Sequence, residues 1–256
     1  MPPVGRAEQP ASFPFQGSSM FKDATLRQTL HLSIDVERVR FQISNIFGGS
    51  DLLSQQLQLH FRLVAYTDPV NFKAVAQSMI AINLYFQADQ SGGSITGHPN
   101  SRTTSWMQQG NHLNASNVTG TSTAHWYFVS AVEAWTPAST SALVILGDSV
   151  TDGRGSTDNE NNRWPDFVLA NLRKSGVTNI AVNNQAADED TVLTGGLCLP
   201  LVQRYQRDLL QTAGAKYAII FESVNDIGGG STDSGTQTRI RRPTHIEIQT
   251  DCDRRT

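Results

Sequence analysis

Hydrophobic and polar residues alternate through most of the first half of the chain. The alternation runs over residues 30–36, 39–43, 57–63 and 80–86, and a further apolar segment covers residues 126–135. A repeat of two places the hydrophobic side chains on one face of a strand, as in antiparallel sheets with one buried face. The pattern therefore predicts a β-sandwich or jelly-roll-like domain over residues 20–136.

The repeat changes after a polar, proline-containing stretch at residues 136–141, where we place a domain boundary. Short apolar runs at residues 143–146, 180–182 and 217–221 have the composition of strands buried on both faces. Between them, hydrophobic residues recur at helical spacing over residues 164–172 and 201–210. The order of these elements predicts an α/β domain over residues 141–237, built as a doubly wound parallel sheet.

The two ends of the chain lack such patterns. Residues 1–19 and 238–256 are predicted to be disordered, and the second segment contains five of the 20 basic residues. The genetic code allows residues 242–256 to be read in a shifted frame as an amphipathic helix. We therefore interpret this tail as aberrant and the chain as truncated at its C-terminal end.

Composition argues against several classes of function. Twenty basic and 23 acidic residues give a formal charge of −3, so no nucleic-acid or anionic-membrane partner is expected. The longest apolar runs have five residues, whereas a bilayer span needs roughly 20. The two cysteines and six scattered histidines show no ligand spacing, and we expect neither a metal nor an organic cofactor.

Two polar segments follow predicted strands of the parallel sheet. Residues 147–153 (GDSVTDG) come directly after the first strand, where Ser149 is suited to act as a nucleophile. Residues 224–228 (VNDIG) follow the third strand, and the side-chain amide of Asn225 is suited to donate to an oxyanion. The alternative for each segment is a simple turn or helix cap.

These segments carry a resemblance to a known family. Residues 146–153 resemble block I of the SGNH (GDSL-like) hydrolases, and residues 224–226 resemble block III. The segments NRWP at 162–165 and RYQRD at 204–208 resemble secreted fungal and bacterial members. The first half is similar to the β-rich domain that precedes the hydrolase domain in those proteins, so the resemblance covers about residues 20–237.

The resemblance implies a three-layer, flavodoxin-like α/β/α fold that is incomplete in this chain. It implies cofactor-free hydrolysis of a small-molecule or polymer-linked ester, with carbohydrate as a further expected partner. Ser149 would be the nucleophile, and its own N–H together with the Asn225 side chain would hold the oxyanion. An extracellular location is also implied, although no signal peptide is visible; a cytoplasmic location is the alternative.

Two departures from the family pattern predict weak or no activity. The segment 184–190 (NQAADED) matches block II, and Glu189 occupies the position of the glycine whose N–H completes the oxyanion hole. The family's catalytic histidine belongs to an Asp-x-x-His motif, which does not occur after Ser149; His245 is the only later histidine. A non-catalytic protein that binds a glycan or polymer, and a non-functional truncated product, are the alternatives.

Overall fold

The computed structural model describes residues 9–11, 21–53, 58–59, 64–88, 95–196 and 198–228. The strands of the first half are β1 Gln9–Ala11, β2 Ala24–His31, β3 Val36–Ser44, β4 Leu52–Leu53, β5 Gln58–Leu59, β6 Val64–Tyr66, β7 Val70–Ala74, β8 Met79–Phe86, β9 Ile95–His98, β10 Ser105–Gln109, β11 Thr121–Thr123, β12 Trp126–Tyr127 and β13 Val129–Ala134. The elements of the second half are β14 Ser141–Gly147, α1 Ser149–Asp152, α2 Trp164–Lys174, β15 Ile180–Asn184, α3 Leu201–Tyr205 with a π-helical turn Gln206–Leu210, β16 Ala215–Phe221 and α4 Val224–Gly228. None of the helices in the described ranges is long and apolar enough to cross a bilayer.

Antiparallel sheets build the first half, as its repeat of two predicts. One sheet has the strand order β11-β10-β2-β8, a second has the order β13-β3-β6 with β7 also paired to β3, and a third has the order β1-β9-β12. Their buried side chains form one core, in which Phe21 contacts Phe86, Tyr127 and Phe128 edge-on, with ring centroids 5.2, 5.7 and 5.3 Å apart. The predicted β-rich architecture is confirmed.

Two segments that the sequence predicts as single strands are divided. The run at 30–36 ends as β2 at His31 and resumes as β3 at Val36, while Leu32 and Ile34 stay buried in the turn between them. The run at 126–135 breaks at Phe128, whose φ of 60° is left-handed, so β12 and β13 belong to different sheets. The hydrophobic pattern continues through both breaks because the side chains in the turns also enter the core.

Part of the predicted disordered N-terminal segment is a strand. β1 pairs antiparallel with β9, with Gln9 opposite Gly97 and Ala11 opposite Ile95. Backbone hydrogen bonds therefore hold these three residues at the edge of a sheet, a contact that a search for hydrophobic repeats does not detect. The other residues of 1–19 and the whole tail 238–256 lie outside the described residues.

The second half is a parallel sheet in the order β15-β14-β16. One face of the central strand β14 packs on α3 and its π-helical continuation, and the other face packs on α2. Helices on both faces of a sheet with this strand order confirm the predicted doubly wound α/β class. The carboxyl ends of the three strands lie together at one edge.

A polar seam joins the two halves behind this edge. The guanidinium of Arg163 donates to the carbonyl oxygen of Ser101 at 2.5 Å. Nearer to α1, Nε2 of His98 lies 2.6 Å from Oδ1 of Asp152, and both side chains are buried. The β-rich half therefore contacts the last residue of α1 directly.

Candidate active site

Ser149 lies at the carboxyl end of the central strand. β14 ends at Gly147, and Ser149 is the first residue of α1. The side chain of Asp148 caps this helix by accepting a 3.0 Å hydrogen bond from the N–H of Val150. Ser149 is only 4% exposed. The strand end and the cap therefore set the position of this serine within packed structure.

The turn between β14 and α1 has no room for a side chain at Gly147. A Cβ there would lie 2.3 Å from Oγ1 of Thr151 and 2.6 Å from the carbonyl oxygen of Phe221. Thr151 also donates to that Phe221 carbonyl at 3.4 Å, and Asn184 donates to the Thr151 carbonyl at 3.0 Å. Because Asn184 ends β15 and Phe221 ends β16, both neighbouring strands hold α1 in place. Such support is what a preorganised site requires.

The loop after β15 carries Glu189 to the same edge. The N–H of Ala187 donates to the carbonyl oxygen of Gly147 at 2.9 Å, which ties this loop to the serine turn. Glu189 has a φ of +51°, a left-handed conformation that costs a residue other than glycine about 1–2 kcal/mol. Its side chain is exposed. The backbone here has a conformation that favours glycine, although a glutamate occupies the position.

Asn225 lies in α4, directly after β16. Parallel pairing sets Phe221 opposite Gly147, so α1 and α4 begin at neighbouring strand ends. The Nδ2 group of Asn225 donates to the carbonyl oxygen of Asp190 at 2.7 Å. A side-chain amide has two N–H groups, and this bond uses one of them. The contact brings Asn225 next to the loop that carries Glu189.

A buried arginine that the sequence analysis does not single out, Arg204, connects the three loops. Its side chain is 1% exposed. It donates to two backbone carbonyl oxygens, those of Gly147 at 3.3 Å and Gln185 at 2.6 Å. It also pairs with three carboxylates, those of Asp190 (2.5 Å), Asp208 (3.2 Å) and Glu222 (3.4 Å). We call Arg204 and these three acids the Arg204 cluster.

Burial changes the proton affinity of two acids in this cluster. Removal from water, and then the charge of Asp190, raise the pKa of Glu222 to about 8, although Arg204 acts in the opposite direction. Burial also raises the pKa of Asp190 to about 6, again against the attraction of Arg204. Near pH 7 Glu222 is therefore mostly neutral, whereas Asp190 is mostly ionised and faces Arg204.

Two of the described histidines have acidic partners of their own. His98 pairs with Asp152, and Nδ1 of His31 lies 3.5 Å from Oδ1 of Asp166. His245 lies outside the described residues. Within the described ranges, no group of three or more histidine, cysteine, aspartate or glutamate side chains is arranged to hold a metal ion.

The structure thus brings the loops of Ser149, Glu189 and Asn225 to one sheet edge. Sequence reasoning missed Arg204, although a signal for it exists. Arg204 and Asp208 are four residues apart on the helix face that Leu201 buries. When an arginine and an aspartate occupy positions on the helix face that otherwise holds buried hydrophobic residues, they indicate a buried ion pair.

A parallel sheet between helices, with a serine turn at the end of its central strand, defines a doubly wound α/β domain. Residues 145–248 match the model of the GDSL-like lipase/acylhydrolase family. The match extends beyond residue 237, where the sequence analysis ends the domain, and into the predicted aberrant tail. No curated protein matches the chain.

Solved structures show more distant likenesses. AlinE4, an esterase of the SGNH-hydrolase family, is 23% identical with a TM-score of 0.36; the match covers 46% of this chain and 55% of AlinE4, so the chain spans about half of that esterase. A family two carbohydrate esterase from Cellvibrio japonicus is 13% identical with a TM-score of 0.31, and 96% of this chain and 76% of that one are covered. A family two carbohydrate esterase from Clostridium thermocellum, solved in complex with cellohexaose, is 11% identical with a TM-score of 0.30, and the coverage is 95% and 66%.

Proposed function

We propose that residues 141–237 form an acyl-ester hydrolase domain, preceded by a separate β-rich domain at 20–136. Ser149 is the nucleophile, and Asn225 together with the N–H of Ser149 holds the oxyanion. The observation that carries this proposal is the position of both residues after adjacent parallel strands, inside the segment that matches the GDSL-like family model. The substrate is a small-molecule or polymer-linked ester, met outside the cell.

The reaction proceeds through an acyl-serine. Oγ of Ser149 attacks the ester carbonyl carbon, and the hydroxyl proton passes to a water molecule. The former carbonyl oxygen becomes negatively charged and accepts hydrogen bonds from the N–H of Ser149 and the second N–H of Asn225. Collapse of this intermediate releases the alcohol with a proton, and water then hydrolyses the acyl-serine.

Two features make this reaction slow in this chain. A general base contributes about 10²–10⁴-fold to the rate, and no Asp-x-x-His motif follows Ser149 in the sequence. Glu189 also adds a carboxylate to the loop that would complete the oxyanion hole. The neighbouring Asp190 carboxylate destabilises the oxyanion less, because it is paired with Arg204. We therefore expect weak hydrolysis.

Hydrolysis of p-nitrophenyl acetate by the full chain tests this proposal. The expected result is slow release of p-nitrophenolate above the buffer rate, which Ser149→Ala abolishes. Ser156→Ala is the matched control, because Ser156 lies in the next loop and its hydroxyl donates only locally, to the carbonyl of Gly153. Equal rates for the parent and Ser149→Ala would contradict the assigned nucleophile. A rate typical of efficient esterases would contradict the expected impairment.

One observation favours a second candidate function, the binding of a glycan. A cleft of about 300 Å³ lies between the β13-β3-β6 sheet and the π-helical turn, and the polar residues of its lining include Gln42, Tyr66, Glu133, Arg207 and Gln211. The guanidinium of Arg40 stacks 4.3 Å from the centre of the Tyr66 ring, and Gln42 donates to the Tyr66 hydroxyl at 2.7 Å. An aromatic ring fixed among amides and charged groups suits a polyhydroxylated ligand.

Retention of the full chain on insoluble cellulose or xylan tests this second candidate. Tyr66→Ala should reduce retention several-fold. Phe72→Ala is the control, since Phe72 is 41% exposed on β7 and is not among the cleft-lining residues. Equal retention of the two variants, or no retention of the parent, would reject glycan binding in this cleft.

A further inference from the structure

Arg204 makes more contacts than a simple buried ion pair requires. A buried pair is often no more stabilising than apolar residues of similar size, because two charges must leave water. Here the guanidinium also donates to the carbonyl oxygens of Gly147 and Gln185, which lie at the ends of β14 and β15. Contacts to backbone atoms fix the path of the chain, and these two atoms lie at the start of two candidate-site loops.

The contact with Glu222 extends this connection to the third loop. Glu222 is the first residue after β16 and precedes Asn225 by three positions. Between them, Ser223 has a φ of 101°, a conformation that the neighbouring contacts must maintain. Arg204 therefore contacts the segments that follow all three strands of the parallel sheet.

Asp190 provides a second connection from Arg204 to Asn225. Its carboxylate accepts from Nε of Arg204 at 2.6 Å. Its backbone carbonyl accepts from Nδ2 of Asn225 at 2.7 Å. Once one N–H of the amide is fixed in this way, the direction of the second N–H is fixed as well, because the amide group is planar.

We propose that Arg204 is the positioning residue of the candidate active site, holding the loops of Ser149, Glu189 and Asn225 in a single arrangement. The inference rests on the proposed function, since it assigns the loops a shared catalytic purpose. Arg204 acts through other residues and does not itself contact the substrate. A lysine cannot replace it, because one ammonium group does not reproduce the planar fork that reaches carbonyls and carboxylates together.

Hydrogen exchange measured by mass spectrometry tests the positioning role without relying on activity. The variants are Arg204→Lys and, as a matched control, Arg163→Lys, which also alters a buried, ion-paired arginine but at the seam between the halves. In Arg204→Lys, amides at 147–153, 185–192 and 222–228 should exchange at least about tenfold faster, with the β-rich sheets unchanged. In Arg163→Lys the segments 185–192 and 222–228 should keep the parent rates, whereas 147–153 is not compared because Arg163 lies beside Gly153. Unchanged exchange in Arg204→Lys, or acceleration spread evenly along the chain, would overturn the proposal.

The reactivity of Ser149 supplies the second measurement. Phosphonylation by a fluorophosphonate, in which Oγ bonds to phosphorus, fluoride leaves and the hydroxyl proton passes to water, should be roughly 10- to 100-fold slower in Arg204→Lys than in Arg163→Lys. The change should lie in the maximal rate rather than in the probe concentration for half-maximal rate. Equal rates in the two variants would overturn the positioning role. Failure of the parent to react at Ser149 would instead overturn the proposed function, and the exchange result would still decide whether Arg204 positions the loops.

Discussion

Two residues beside the candidate oxyanion donors have left-handed backbones. Glu189 has a φ of 51° and Ser223 has a φ of 101°, and neither is a glycine. Conformations of this kind persist only where surrounding contacts maintain them. Around these residues the contacts come from the Arg204 cluster and from the bond between Asn225 and Asp190. At the residue scale, the candidate site thus combines two strained backbone positions with the buried Arg204 cluster that stabilises them.

Two substitutions of Glu189 distinguish the effect of its strained backbone on stability from the effect of its negative charge on activity. Glu189→Gly should raise the free energy of unfolding by about 1 kcal/mol, because glycine adopts a left-handed φ without a steric penalty. Glu189→Gln keeps the strain and removes the charge, so it should leave stability near the parent value. Both variants should hydrolyse p-nitrophenyl acetate faster than the parent, since both remove a negative charge near the oxyanion. Chemical denaturation and initial rates measure the two effects, and a Gly variant less stable than the Gln variant would contradict the strain argument.

The raised pKa of Glu222 should be visible in the pH dependence of the free energy of unfolding. In the folded chain its pKa is raised from 4.5 to about 8, so the folded state holds more protons than the unfolded state between these values. Unfolding free energy should therefore fall as pH rises from about 4.5 to about 8. Glu222→Gln removes this loss. Its Tm should be close to the parent's near pH 4.5 and should exceed it by a growing margin towards pH 8.5. Glu160→Gln is the control, because Glu160 is exposed. If the Tm difference between this control and the parent grows equally with pH, Glu222 is not the responsible group.

At the scale of elements, hydrophobic spacing predicted the positions of the α2 helix, with Pro165 in its first turn, and of the strands β14, β15 and β16. The expectation that all three strands are buried on both faces is wrong for β16, whose apolar side chains are exposed among the described residues. The break at Phe128 could not be predicted, because a left-handed residue inside an apolar run leaves the spacing unchanged. The seam between the halves was missed for another reason: its partners are distant in sequence. His98 and Asp152 pair across 54 positions, and neither has a pattern that points to the other.

The pair of His98 and Asp152 should be strongly coupled. Both side chains are buried, so removal of one partner leaves the other unpaired away from water. A cycle built from His98→Gln, Asp152→Asn and the double variant should give a coupling of about 1–3 kcal/mol in unfolding free energy. The wider pair of His31 and Asp166, 3.5 Å apart, is the control, and its cycle should give about 1 kcal/mol or less. Equal couplings would contradict a special role for the seam beside α1.

At the scale of the whole molecule, the two outer strands of the parallel sheet differ in burial among the described residues: β15 is largely buried, whereas β16 is exposed. The apolar side chains of β16 are exposed: Tyr217 at 52%, Ile220 at 39% and Phe221 at 54%. Within the described ranges this strand pairs only with β14. An exposed apolar edge strand offers unpaired backbone groups to another chain and favours aggregation.

A lysine on this strand should reduce such aggregation. Ile220→Lys should slow the growth of light scattering on mild heating, because charged side chains on an edge oppose strand pairing. Its effect on Tm should be small, since the side chain is already partly exposed. Val75→Lys is the control, with a 66% exposed valine outside any strand. If both variants slow scattering equally, general charge rather than the β16 edge is responsible.

Adduct formation tests most directly the proposed role of Ser149 as the nucleophile of this domain. The full chain is incubated with a fluorophosphonate, digested, and the peptide that contains residues 147–153 is analysed by mass spectrometry. We expect one phosphonyl adduct on Ser149, formed slowly, absent from Ser149→Ala and retained in Ser156→Ala. No adduct on that peptide, or an equal adduct in Ser149→Ala, would show that Ser149 is not the nucleophile.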